Sequence, residues 1–182
     1  CSHAIGDRAN KEILDRYEIA FDELADRATD HRFRIEHAQH LHPDDIPRFA
    51  GLGVIPAMQA VHLSSDRPWA IDRLGEQRIK EGAYMWQALL QSGIPIVNGT
   101  DVPVEPLNPI ASLYASISRK TLKGTPEGGY EPEQKMTREQ ALRSYTLDAA
   151  YGAFEEDIKG SITVGKLADF TIYSQDLMTV AE

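Results

Sequence analysis

The sequence predicts an α/β fold, and three features of its pattern predict it. Short apolar runs alternate with longer amphipathic segments along most of the chain. The runs are apolar at consecutive positions, as parallel strands covered by helices on both faces must be. Residues able to do chemistry, His3, His37, Gln59 and Asp101, stand where those runs end, and the C-terminal ends of strands are where such folds carry their sites.

The first helix is predicted from Asp7 to about Ala25. Ile13, Leu14, Tyr17, Ala20, Phe21 and Leu24 recur at three- and four-residue spacing with charged residues between them, the pattern of one buried helical face. Asp7 is its expected N-cap, or a group orienting the rim. A strand over 33–37 and a short helix over 43–50 follow. The run Val54 to Gln59 reads as a buried strand in spite of Pro56. Asp66-Arg67-Pro68-Trp69 reads as a turn or helix entry with Trp69 packed inward. A helix is predicted over Glu81–Gln91, stopped by Ser92-Gly93, then a strand over 94–99 and a helix from Pro109 to about Ser118. Gly and Pro punctuate 119–135, which reads as a surface loop. Thr137 and Gln140 form a capping-box pattern at the head of a helix running to Ala150. After Gly152 the texture changes to short β-like pieces, 161–164 and 169–173.

The 182 residues carry 19 Lys and Arg against 28 Asp and Glu, a formal net charge of −9. That acidity repels a phosphate backbone or an anionic bilayer, so neither nucleic acid nor membrane is an expected partner. The longest weakly polar stretch, Gly51 to Leu63, falls short of the roughly 20 apolar residues a spanning helix needs. A single cysteine suits a reducing, cytoplasmic setting. The chain opens without an initiator Met or a signal-peptide pattern and reads as a piece of a longer one.

Imidazole nitrogen and carboxylate oxygen are the usual ligands of a catalytic divalent metal. His3, His37 and Asp101 each end an apolar run, at intervals suiting one and two βα units. They form either a metal site or hydrogen-bonded rim histidines with Asp101 capping its loop. Gln59 and His62 lie around the end of the third strand and Asn108 and Glu105 just beyond Asp101, as substrate contacts or as loop residues. His31, His40 and His42 read as surface residues, and Cys1 as a buried thiol beside His3.

The motifs His3-Ala4-Ile5-Gly6-Asp7-Arg8-Ala9, Arg34-Ile35-Glu36-His37-Ala38-Gln39, Asn98-Gly99-Thr100-Asp101-Val102-Pro103-Val104, and Gly160-Ser161-Ile162 with Gly165-Lys166-Leu167-Ala168-Asp169-Phe170 occur in that order. This ordered set resembles the metal-dependent amidohydrolase superfamily, in its amidohydrolase family 3 or YtcJ-like branch, which includes N-substituted formamide deformylase. The resemblance implies that 1–151 is the C-terminal half of a (β/α)₈ TIM-type barrel and 152–182 part of a small β-sandwich. It implies one or two divalent ions, zinc by preference, with His3 and His37 as metal ligands after strands five and six and Asp101 after strand eight as ligand and general base. The family's His-x-His pair after strand one and its Lys or Glu after strand four have no counterpart in 1–182.

The expected activity is hydrolysis of a C–N bond in a small-molecule amide, formamide or cyclic amide by metal-activated water, with Gln59, His62 and Asn108 as substrate-binding residues. A deaminase, and a non-catalytic binding or assembly module of the same fold, are the alternatives. The chain by itself is expected to be inactive, its open barrel edges covered by an upstream half or by another chain.

Overall fold

A computed structural model describes residues 1–24 and 30–181. Four parallel strands form one sheet in the order of the sequence: β1 (Ser2–Ala4), β2 (Arg34–His37), β3 (Ile55–Met58) and β4 (Val97–Asn98). Ala4 pairs with His37, Ile35 with Pro56 and Met58 with Asn98. Strand order and chain order coincide because each crossover returns the chain beside the strand it has just left. Ile35, Ile55, Met58 and Ile96 are buried among helix residues Leu14, Phe49, Leu63 and Leu89, so the sheet is covered as its continuous apolar runs require.

The first helix, α1 (Asp7–Leu24), starts as expected; the expected end at Ala25 lies outside the described residues. Asp7 is the first helical residue rather than the cap, and its Oδ1 accepts from the N–H of Arg8 at 2.8 Å. Fully buried Asn10 donates to the carbonyls of Gly6 (2.9 Å) and His40 (3.3 Å), tying the loop after β1 to the loop after β2. The expected helix over 43–50 divides into a 3₁₀ turn, Pro43–Asp45, and α2 (Ile46–Leu52), which ends on Gly53 at φ 65°. Only glycine adopts that left-handed cap without strain.

Pro56 sits inside β3 at no cost to the ladder. The N–H of Ile55 donates to the Phe33 carbonyl on the β2 side. Alternation turns the missing N–H of Pro56 toward β4, whose pairing begins only at Val97 opposite Ala57.

The stretch around Pro68, read as a turn or helix entry, lies inside a helix. Helix α3 (Ala60–Gly82) runs through Pro68 and breaks instead at Gly75, φ 77°. Its first half buries Val61, Leu63, Ser64, Arg67 and Ala70, and that packing outweighs the local preference of a pre-proline residue for extended backbone. Trp69 is 52% exposed, against its expected inward packing.

The single helix expected over Glu81–Gln91 is interrupted. Ala83 is extended, Tyr84 has φ 52°, and α4 is Trp86–Gln91. The chain leaves the helix to bond with the loop after β2: Tyr84 N–H donates to Gln39 O and Leu41 N–H to Gly82 O, both at 2.8 Å. Tertiary hydrogen bonds therefore replace helical ones, and the break buries the rings of Tyr84 and Trp86.

Helix α5 (Pro109–Ser118) has its expected limits. The loop after it is irregular apart from one 3₁₀ turn, Pro132–Gln134. The capping box of Thr137 and Gln140 opens α6 (Arg138–Tyr145), and Thr146 separates it from α7 (Leu147–Gly152). Neither β-like piece beyond Gly152 is a strand: 161–164 and 169–173 are irregular, with Val164 and Ile172 almost fully exposed. A strand needs a neighbour for its N–H and C=O groups, and no described segment pairs with them. No helix among the described residues is long and apolar enough to cross a membrane.

Candidate active site at the strand ends

Parallel pairing puts the C-terminal ends of all four strands on one rim. His3 on β1 and His37 on β2 are one register step apart, and their rings meet edge to face, centroids 4.5 Å apart at 77°. His37 is 7% exposed, with φ 76°, and Ala38 follows at φ 43°. Two consecutive non-glycine residues in left-handed conformation store strain, and here that strain turns the chain at the strand end where His37 meets His3.

Gln59 follows β3 directly. Its Oε1 lies 2.7 Å from His37 Nδ1, and its Nε2 donates to the Ala57 carbonyl at 3.3 Å. His62, in the first turn of α3, stacks on His37 with centroids 5.8 Å apart. It is 6% exposed, and its Nε2 is buried without a hydrogen-bond partner. Burial lowers its basicity, with Asp66, Glu105 and Asp101 pulling the other way and His37 adding to the depression.

Asp101 lies on the loop after β4 with φ 57°; its side chain is exposed, and its carbonyl accepts from Val104 N–H at 2.8 Å. Among the described residues no group of three or more His, Cys, Asp and Glu side chains is arranged to hold a metal ion. The structure thus joins His3 to His37 and leaves Asp101 outside their contact. Two neighbouring imidazoles at the strand ends are of the ligand type a divalent ion takes, and the contact with Gln59 engages His37 Nδ1, so Nε2 is the nitrogen of that ring left to meet such an ion.

Asn108 caps α5, its Oδ1 accepting from Ile110 N–H at 3.0 Å. Glu105 accepts from Ser65 Oγ at 2.5 Å, which fastens the Asp101 loop to α3. Cys1 is exposed, not buried. Two of the histidines read as surface residues are built in. His31 stacks on Phe21 at 4.0 Å, and His40 lies edge-on to Tyr84, its basicity driven down to about 4 by burial. His42 is exposed as expected, its ring accepting from Asp44 N–H.

Sequence reasoning passed over the residues that hold this rim. Asn98 accepts the Ala60 N–H (3.2 Å) and donates to Ser144 Oγ (3.0 Å). Ser112 Oγ accepts from Val61 N–H at 3.1 Å and from the Tyr145 hydroxyl; burial pushes Tyr145 up to about 12. Behind them, the buried guanidiniums of Arg67 and Arg119 share the Glu131 carboxylate at 2.6 and 3.3 Å. Asn98 stood inside a quoted motif; the others had no local signal, because their partners are distant in sequence.

A family model described as the amidohydrolase family matches residues 1–182. The chain belongs to the amidohydrolase family. This member is 39% identical over 172 residues to protein LONG AFTER FAR-RED 3 of Arabidopsis thaliana, covering 94% of the chain and 29% of that relative. It is 33% identical to YtcJ of Bacillus subtilis (strain 168), over 96% of the chain and 32% of YtcJ. With N-substituted formamide deformylase of Arthrobacter pascens the identity is 26%, over 96% of the chain and 31% of that enzyme. The chain therefore spans about a third of the length of the curated relatives it matches. Among solved structures, an uncharacterized metal-dependent hydrolase of Pyrococcus horikoshii OT3 superposes with a TM-score of 0.81 at 31% identity, over 98% of this chain and 34% of that one.

Proposed function

We propose that this amidohydrolase-family chain forms part of a metal-dependent hydrolase acting on the C–N bond of a small-molecule amide, formamide or cyclic amide. The observation that carries the reading is the crossed pair of His3 and His37 at the strand ends, with His37 Nδ1 held by Gln59. Membership of the amidohydrolase family supports it, as does likeness to a metal-dependent hydrolase. The formamide class takes its support from the deformylase relative.

His3 and His37 would hold a divalent ion, zinc by preference, with Asp101 as further ligand. Such an ion, when bound, supplies Lewis acidity toward a carbonyl and lowers the pKa of water. Asp101 Oδ accepts the proton of the attacking water and returns it to the departing amine, which cannot leave well as an anion. Gln59 keeps His37 oriented. His62, with its unpaired Nε2, and Asn108, on the same rim, contact the substrate. In this reading 1–151 is the C-terminal half of a (β/α)₈ barrel and 152–182 contributes to a β-sandwich. β1 and β4 are the sheet's edges, and an upstream segment or a second chain covers them. A cytoplasmic setting belongs to the same reading, and the single cysteine, which can form no disulfide within 1–182, supports it. The non-catalytic reading draws on one observation, that Asp101 stands outside the His3–His37 contact.

The test is turnover of N-substituted formamides, primary amides and cyclic amides by the intact protein, with and without a chelator, beside Asp101→Asn. Asn tolerates left-handed backbone as well as Asp, so the melting curve should not move, while kcat falls by about 10²- to 10⁴-fold. Chelator-insensitive turnover, or near-wild-type turnover by the variant, overturns the proposal.

A further inference from the structure

We propose that Gln59 is a positioning residue that holds His37 as its Nδ1–H tautomer, and that β4, α5 and α6 free it for this task by capping α3 in its place. The inference rests on the reading of His37 as a metal ligand and extends it to a residue expected to bind substrate.

The direction of the hydrogen bond follows from the amide. Gln59 Nε2 faces the Ala57 carbonyl at 3.3 Å and Oε1 faces His37 Nδ1 at 2.7 Å. Turning the amide over would set Oε1 against another carbonyl oxygen and lose a hydrogen bond at a half-buried site. With Oε1 toward the ring, Nδ1 must carry the proton, because an amide oxygen only accepts. Nε2 is then the unprotonated nitrogen. Without this partner the ring of His37 could turn about its Cβ–Cγ bond and present the wrong nitrogen to the rim.

The second part explains why a glutamine can be spent this way. Gln59 occupies the N-cap position of α3, where a side chain ordinarily satisfies the orphan N–H groups of the first turn; its own makes no capping bond. Asn98 Oδ1 takes the Ala60 N–H, Ser112 Oγ takes the Val61 N–H, and the Gln59 carbonyl takes the His62 N–H. Asn98 is held by Ser144 and Ser112 by Tyr145, consecutive residues of α6. Asn98, Ser112 and Ser144 are all buried. The start of α3 is thus fixed from three elements, and with it the backbone from which Gln59 reaches His37.

The experiment is long-range ¹H–¹⁵N correlation spectroscopy of the intact, metal-free protein labelled at histidine, with His37 assigned by substitution. It is joined to zinc affinity measured by competition with a chromophoric chelator. The wild type should show the proton of His37 on Nδ1. Gln59→Leu should lose that signature and bind zinc about 10- to 100-fold more weakly, the usual cost of removing such a partner. Gln59→Glu, which keeps an acceptor oxygen, should restore both. A wild-type His37 protonated on Nε2 overturns the proposal even if the leucine variant does not fold, and so does a leucine variant with unchanged tautomer and affinity. Wild-type protein with the Nδ1–H signature but no zinc binding would leave the positioning role standing and remove the metal reading instead.

Discussion

Glu131→Gln separates a buried charge network from a surface ion pair of the same chemistry. Among the described residues Glu131 is the one carboxylate paired with two guanidiniums, and the side chains of Arg119, Arg67 and Glu131 are 0%, 9% and 12% exposed. Arg119 also donates to the carbonyls of Tyr130 and Tyr84 and lies over the Trp86 ring at 4.6 Å. Burial has already pushed its guanidinium down to about 10 against the pull of Glu131. Removing the negative charge leaves two desolvated cations facing a neutral amide, which costs about 3–5 kcal/mol in such settings. Arg8–Glu12, exposed on both sides, should lose less than about 1 kcal/mol in Glu12→Gln. The assay is native-state hydrogen exchange by mass spectrometry, read on peptides spanning 116–136. There Tyr130 N–H donates to Arg119 O and Met136 N–H to Ser116 O. At a factor of ten for each 1.4 kcal/mol, exchange in this segment should quicken by about 10²- to 4 × 10³-fold in Glu131→Gln and hardly at all in Glu12→Gln. Wild-type protection in Glu131→Gln would refute the claim that this carboxylate holds the loop to α3.

Two further outcomes follow from the packing. His40 is held neutral in the fold, its pKa lowered from 6.5 to about 4 by burial. The unfolded chain therefore binds the extra proton first, and stability should fall as pH drops from 6.5 to 4. Denaturant midpoints measured across that window should decline less steeply in His40→Gln, and equal slopes would count against the assignment. At Gly82 an added Cβ would lie 1.9 Å from the Leu41 carbonyl oxygen, so Gly82→Ala must shift the backbone where α3 meets the loop after β2. A loss of about 1–3 kcal/mol is expected, read as a lowered denaturation midpoint; an unchanged midpoint would show that this contact is not tight.

Local pattern determined the parallel α/β layout, the limits of α5, the capping box before α6 and the residues at the strand ends. Each of these depends on neighbours within a few positions: an apolar run too continuous for a one-sided sheet, a Pro after an Asn cap, a Thr three residues before a Gln. Where a distant partner outweighed local preference, only the tertiary structure could decide. Helix α3 continues through Pro68 because its far face is buried, and the chain breaks at Tyr84 because Gln39 and Leu41 offer hydrogen bonds across the rim. The β-like pieces after Gly152 have strand composition but no described neighbour, and composition cannot supply one. The same division runs through the site. His3, His37 and Asp101 were legible as rim residues, since the end of an apolar run marks the rim. That His3 and His37 touch while Asp101 stands apart was decided by register and by left-handed turns at His37 and Asp101. That Gln59 serves His37, while Asn98 and Ser112 cap the helix it heads, was decided by contacts between elements up to 51 residues apart, a separation at which local sequence carries no record of its partner.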